Sequence, residues 1–152
     1  MRKKWIVGLL GVLVPLVGLG FWAMLPDPPP YASLDNAQLG EKAARGALIV
    51  DIRRPDEWRE TGVIAGSHLI TAFDDSGRLR GDFPARFSAL AGPDDEVVII
   101  CRTGNRTDVL GRMLAEQVGY SNVHNVTRGI SQWIREGGPV ERCTTRGGSA
   151  IC

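Results

Sequence analysis

Short apolar runs alternate with stretches of helical spacing through most of the chain, and the alternation sets the predicted elements. Ala47 to Ile52 is apolar except for Asp51, and Val97 to Ile100 is an unbroken run of four. Runs of this kind read as strands covered on both faces of a parallel sheet. Val123 to Val126 and Ser67 to Ile70 are two shorter candidates. Between them, Asp35 with Gln38 forms a capping-box pattern that opens a helix of about ten residues, stopped at Gly46. Pro55 starts a short helix through Trp58 that stops by Gly62. Asp82 is placed to cap a helix through Phe83, Phe87 and Leu90, with Gly92-Pro93 as its terminator. A further helix begins at Thr107, with Val109, Leu110, Met113, Leu114 and Val118 on one face and Gly119 as its end. Ile130, Trp133 and Ile134 mark the last helix, before Gly137-Gly138-Pro139. Asp74 to Gly81 is polar and reads as a loop. Strands alternating with helices predict an α/β domain around a mostly parallel sheet.

The amino terminus departs from this pattern. Met1-Arg2-Lys3-Lys4 is basic, and Trp5 to Leu25 is a run of 21 residues without a charge, against roughly 20 needed to cross a bilayer as a helix. A cleaved signal would have a shorter apolar region and a small-x-small site, whereas Phe21-Trp22-Ala23 has a bulky residue first. An uncleaved membrane anchor is therefore expected, with export after signal cleavage as the alternative. Pro26-Asp27-Pro28-Pro29-Pro30 then forms a stiff linker. The predicted organisation is an anchor or signal at 1–25, a linker at 26–32, one domain at 33–142 and a tail at 143–152. The basic start places the domain on the extracytoplasmic, periplasmic side.

Charge narrows the partners. Without Arg2, Lys3 and Lys4, 15 basic residues stand against 17 acidic ones. Such a balance offers no basic field for nucleic acid, and no lipid contact beyond the anchor.

Three cysteines remain to be placed. Cys143 and Cys152 flank a polar tail and are predicted to form a disulfide in an oxidising compartment, with two free thiols as the alternative. No cysteine pair has the spacing of a zinc or dithiol redox site, and neither metal nor cofactor is expected. Cys101 is different. It follows the run Val97 to Ile100 and opens the turn Arg102-Thr103-Gly104-Asn105-Arg106, with Thr107 leading into a helix. Strand ends of α/β sheets are where ligands bind, and turn amides, two guanidinium groups and a positive helix end favour a nucleophilic thiolate there. Gly104 lets consecutive N–H groups curl around one anionic atom at the sulfur.

These residues resemble the rhodanese family of sulfurtransferases from about Leu34 to Glu141. Leu48 to Arg53 with Pro55, Glu57 and Trp58 is similar to its first signature. Gly62 to Ser67 is similar to its second, Ile100 to Thr107 to its active-site loop, and Gly129-Ile130 with Trp133, Gly138, Pro139 and Val140 to its closing segment. The resemblance implies a rhodanese-like three-layer fold, with helices flanking the central sheet. It also implies sulfane sulfur transfer through a Cys101 persulfide, from an anionic donor such as thiosulfate to cyanide, a thiol or another thiophilic acceptor. A protein acceptor is left open.

Arg102 and Arg106 would then attract the donor, while the amides of Thr103, Gly104, Asn105, Arg106 and Thr107 stabilise the terminal sulfur. Asp51 and Arg53 are expected to brace the loop through hydrogen bonds to its backbone, or else to form a surface ion pair. His68 and His124 are expected to be structural, and Trp58 and Trp133 to lie in the core. A phosphatase or arsenate reductase would use a Cys-x5-Arg loop, but Arg106 follows Cys101 after only four residues. Asp74, Asp75 and Asp108 could be nominated as its general acid, but each sits in a loop or helix start where a solvated or capping carboxylate is the ordinary reading. A non-catalytic module that senses sulfur species or binds a partner is the remaining alternative.

Overall fold

The structure is a computed structural model that describes residues 28–146 and 149–151. The predicted membrane span at 5–25 and Cys152 lie outside the described residues. No helix among the described residues is long and apolar enough to cross a membrane.

Five parallel strands form the sheet: β1 (Ala32–Leu34), β2 (Leu48–Asp51), β3 (His68–Leu69), β4 (Val97–Ile100) and β5 (Val123–Val126), in the spatial order β1-β5-β4-β2-β3. The connecting helices are α1 (Asn36–Ala44), α2 (Pro55–Thr61), α3 (Phe83–Ser88), α4 (Asn105–Met113) and α5 (Gly129–Arg135). A π-helical turn, Leu114–Val118, extends α4, and β6 (Thr144–Arg146) pairs antiparallel with β7 (Ser149–Ile151) outside the main sheet.

β4 is central and all four of its residues are fully buried. Its side chains alternate between two cores, as the pleat of a strand requires. Val97 and Ile99 join Val50, Phe83, Phe87, Leu110 and Leu114 on one face, while Val98 and Ile100 join Ile49, Leu39, Ile130 and Trp133 on the other. Trp58 and Trp133 are both buried, as predicted. The sheet is thus sandwiched between two helical layers, which explains why its strands read as unbroken apolar runs. Asp51 pairs with Ile100 in register, so β2 and β4 end together and present Ile52 and Cys101 at the same edge.

Several boundaries differ from the sequence reading for identifiable reasons. β1 falls partly within the predicted linker; it is a three-residue edge strand beside β5, too short to leave a pattern. α1 starts as predicted, with Asp35 Oδ1 accepting from the Gln38 amide and Gln38 Oε1 from the Asp35 amide. Asp82 precedes α3 but makes no capping hydrogen bond; its carboxylate is taken by Arg80 and Arg86. α4 begins at Asn105, two residues early, and its buried stripe is Thr107, Leu110, Gly111 and Leu114. That stripe turns Val109 outward, and the π-helical turn leaves Val118 exposed.

Candidate active site

Cys101 is the residue after β4 and is 1% exposed. The Gly104 amide donates to its Sγ at 3.2 Å, and Thr107 Oγ1 lies 3.5 Å from the same sulfur. Thr107 Oγ1 also lies 2.9 Å from the Gly104 carbonyl, which it can reach as donor. A hydroxyl has one proton, so two arrangements are available. With a thiol, the S–H donates to Thr107 while Thr107 donates to the carbonyl. With a thiolate, the hydroxyl turns its proton to the sulfur.

Two glycines let this loop close. Gly104 has φ +93°, and a Cβ there would sit 1.9 Å from the Thr127 carbonyl oxygen. At Gly129, φ is +58° and a Cβ would meet the Cys101 and Arg102 carbonyls at 2.5 and 2.6 Å. Such contacts permit only glycine. The close approach allows the first turn of α5 to hold the loop: the Ile130 amide donates to Cys101 O at 2.9 Å, and the Ser131 amide to Arg102 O at 3.1 Å. The loop carbonyls are tied toward α5, and the Gly104 amide is left to face the sulfur. Sequence points to Gly129-Ile130 only through the family resemblance, because the contact joins segments 28 residues apart.

Both loop arginines are paired with glutamates of α2. Arg106 makes a bidentate contact with Glu57 at 2.6 and 2.7 Å, with side chains 27% and 5% exposed. Burial by itself raises the Glu57 carboxyl, but hydrogen bonds from Arg106 and the Arg54 amide, with the nearby guanidinium charges, hold it below the ordinary value. The Glu57 hydrogen bond raises Arg106 against the opposing effect of burial. Arg102 contacts Glu60 at 3.2 and 3.3 Å, but there both side chains are about half exposed. The family resemblance includes Glu57 but not Glu60, and spacing within α2 cannot show which loop faces either.

Asp51 and Arg53 are not a surface pair, and they do not hydrogen-bond the cysteine loop. Arg53 is fully buried and grips Asp51 through Nε and Nη2 at 2.7–3.0 Å. Its remaining donors reach Thr61 Oγ1 at 2.6 Å, Gly62 O at 2.8 Å and Glu57 O at 3.2 Å. The pair therefore pins α2 to the end of β2. Its effect on the loop passes through Glu57 to Arg106, one step further than the sequence reading places it. Thr103 and Asn105 are exposed at the loop surface.

The candidate acids of a phosphatase are engaged elsewhere. Asp74 accepts from the Arg78 amide and from the Ser76 hydroxyl and amide within its own turn, and these bonds lower its pKa to about 2. Asp75 pairs with Arg54, and Asp108 with Arg112 and the Tyr31 hydroxyl. His68 is exposed on β3, and His124 Nε2 contacts Glu96 at 3.2 Å and Asn122. Cys101 is a free buried thiol, and no cluster of metal-binding side chains occurs among the described residues.

A parallel α/β domain whose strand-end cysteine is cradled by a glycine-closed loop defines a recognisable class. The chain belongs to the rhodanese-like domain family, whose pattern it matches over residues 35–136. It is similar to a protein named sulfurtransferase from Allochromatium vinosum, 33% identical over 114 residues that cover 70% of this chain and 92% of that one. It is 27% identical over 104 residues to a putative thiosulfate sulfurtransferase, SseA, of Mycobacterium tuberculosis, covering 56% of this chain but only 35% of that protein. The chain thus spans about a third of the mycobacterial relative. A crystal structure of a rhodanese-related protein from Thermoplasma volcanium matches with a TM-score of 0.56 at 29% identity, covering 73% of this chain and 98% of that one.

Proposed function

We propose that this protein is a sulfurtransferase that carries sulfane sulfur as a persulfide on Cys101. The observation that carries the reading is the Gly104 amide 3.2 Å from Sγ in a loop that holds an almost wholly enclosed sulfur. So confined a site admits a terminal sulfur atom better than a tetrahedral oxyanion.

In the first half-reaction the Cys101 thiolate attacks the outer sulfur of thiosulfate. The donor S–S bond breaks, sulfite leaves with its electron pair, and a cysteine persulfide anion remains. Loop amides that stabilise charge on the terminal sulfur lower the barrier. In the second, cyanide or a thiol attacks that terminal sulfur and the Cys101 thiolate is released. No general acid is required, because sulfite is a stable leaving group. The reaction needs no metal or cofactor beyond the persulfide itself.

Two features of the chain complete the proposal. The 5–25 segment anchors the domain on the periplasmic side of a membrane, or is removed as a signal during export. Cys143 and Cys152 are oxidised to each other there, which keeps both thiols away from Cys101. Thiocyanate formation from thiosulfate and cyanide, compared between wild type and Cys101→Ser, tests the enzyme reading. Equal rates would leave a sulfur-sensing or partner-binding module in its place.

A further inference from the structure

Building on the sulfur-transfer reading, we propose that Glu60 determines which donors the site accepts, by competing with them for Arg102. The two loop arginines differ in their freedom. Arg106 is locked to the buried Glu57 carboxylate, whereas Arg102 meets Glu60 where both side chains are about half exposed. An exposed pair of this kind is weakly held and exchanges readily with an anion from solution. Arg102 follows Cys101 directly, and its backbone carbonyl is fixed by the Ser131 amide. Its side chain can therefore turn toward a donor while the loop stays in place.

The backbone that carries Glu60 is fixed as well. Arg53 holds the carbonyls of Glu57 and Gly62, which fixes the backbone of α2 on either side of Glu60. When an anion takes Arg102, the Glu60 carboxylate stays at the mouth without its partner. A donor such as thiosulfate, with two negative charges and no positive one, meets that carboxylate as a repelling neighbour. A donor that carries an ammonium group beside its carboxylate can occupy Arg102 and Glu60 together.

The structure thus assigns to this mouth a preference for zwitterionic aminothiol persulfides over small dianions. The transfer step has the same balance in both cases. The Cys101 thiolate attacks the sulfane sulfur, the donor S–S bond breaks, and the aminothiol leaves as a thiolate with the bonding electron pair.

The test uses the full chain and follows sulfur loading of Cys101 by intact mass at low donor concentration, with thiosulfate and with cysteine persulfide. Glu60→Gln is expected to speed loading from thiosulfate and slow loading from cysteine persulfide, moving their ratio by about fivefold at low salt. The shift should shrink at high salt, as expected for exposed charges. Glu60→Lys should move the ratio further the same way. A ratio unchanged in both variants, with Cys101 still loading, overturns the assignment of Glu60 and leaves sulfur transfer intact. Failure of wild-type Cys101 to load from either donor overturns both.

Discussion

Arg106 and Arg102 both reach from the cysteine loop to α2, one to Glu57 and the other to Glu60, yet the two contacts do different work. Glu57 is 5% exposed and bound through both oxygens, so breaking that pair strands a charge in a poorly solvated place. Glu60 and Arg102 lose little when they separate, because water receives both. The same two residue types, joining the same helix and loop, thus give one fixed support and one exchangeable contact. Burial, not residue identity, makes the difference.

The largest expected effect comes from removing the loop geometry on which both contacts depend. Gly104→Ala forces a Cβ into the Thr127 carbonyl at a positive φ. It should destabilise the fold by roughly 3 kcal/mol or more and abolish transfer; urea unfolding and thiocyanate release measure the two. Native stability with normal turnover would contradict the loop packing described here.

Next in size is the fixed support. Glu57→Gln should cost roughly 2 to 4 kcal/mol in urea unfolding, because Arg106 is left with half-buried charge and no carboxylate. Sulfur transfer should fall with it, through kcat more than through donor KM. The Glu57 carboxyl titrates below its ordinary value of 4.5 in the folded protein. Its contribution is accordingly complete above that pH and is lost as the pH falls below it. The stability gap between wild type and Glu57→Gln should therefore be constant near neutrality and narrow in acid. A gap that widens in acid would reverse this assignment.

Two double-mutant cycles measure how far the two ion pairs differ. Coupling between Glu57 and Arg106 should be about 2 kcal/mol, and between Glu60 and Arg102 below about 0.5 kcal/mol. Equal couplings would erase the distinction. The smallest effect is on stability in Arg102→Gln, within about 0.5 kcal/mol of wild type by urea unfolding. The same variant should raise the donor KM at low salt.

Much of this architecture is legible in the amino-acid sequence. Continuous apolar runs identify β2, β4 and β5 because a doubly covered parallel strand has no polar face to hide, and Gly104 stands out by the turn it must make. Pattern does not show contact between distant segments. Asp51 and Arg53 are recognisable as a pair, but their burial and their grip on α2 depend on Thr61 and Gly62 folding back over them. The pairing of both loop arginines with α2 is equally hidden, since spacing within the helix does not show which loop faces Glu57 or Glu60. β1 leaves no trace because three residues at a sheet edge carry too little periodicity. The start of α4 is displaced by the loop itself, whose positive φ at Gly104 begins the helix sooner than its apolar spacing suggests.

Intact-mass analysis after brief exposure to thiosulfate detects the Cys101 persulfide itself. Wild-type protein should gain the mass of one sulfur atom on the peptide containing Cys101, lose it on addition of cyanide, and show neither change as Cys101→Ser. A sulfur adduct that survives in Cys101→Ser, or a wild-type protein that never acquires one, would contradict the account.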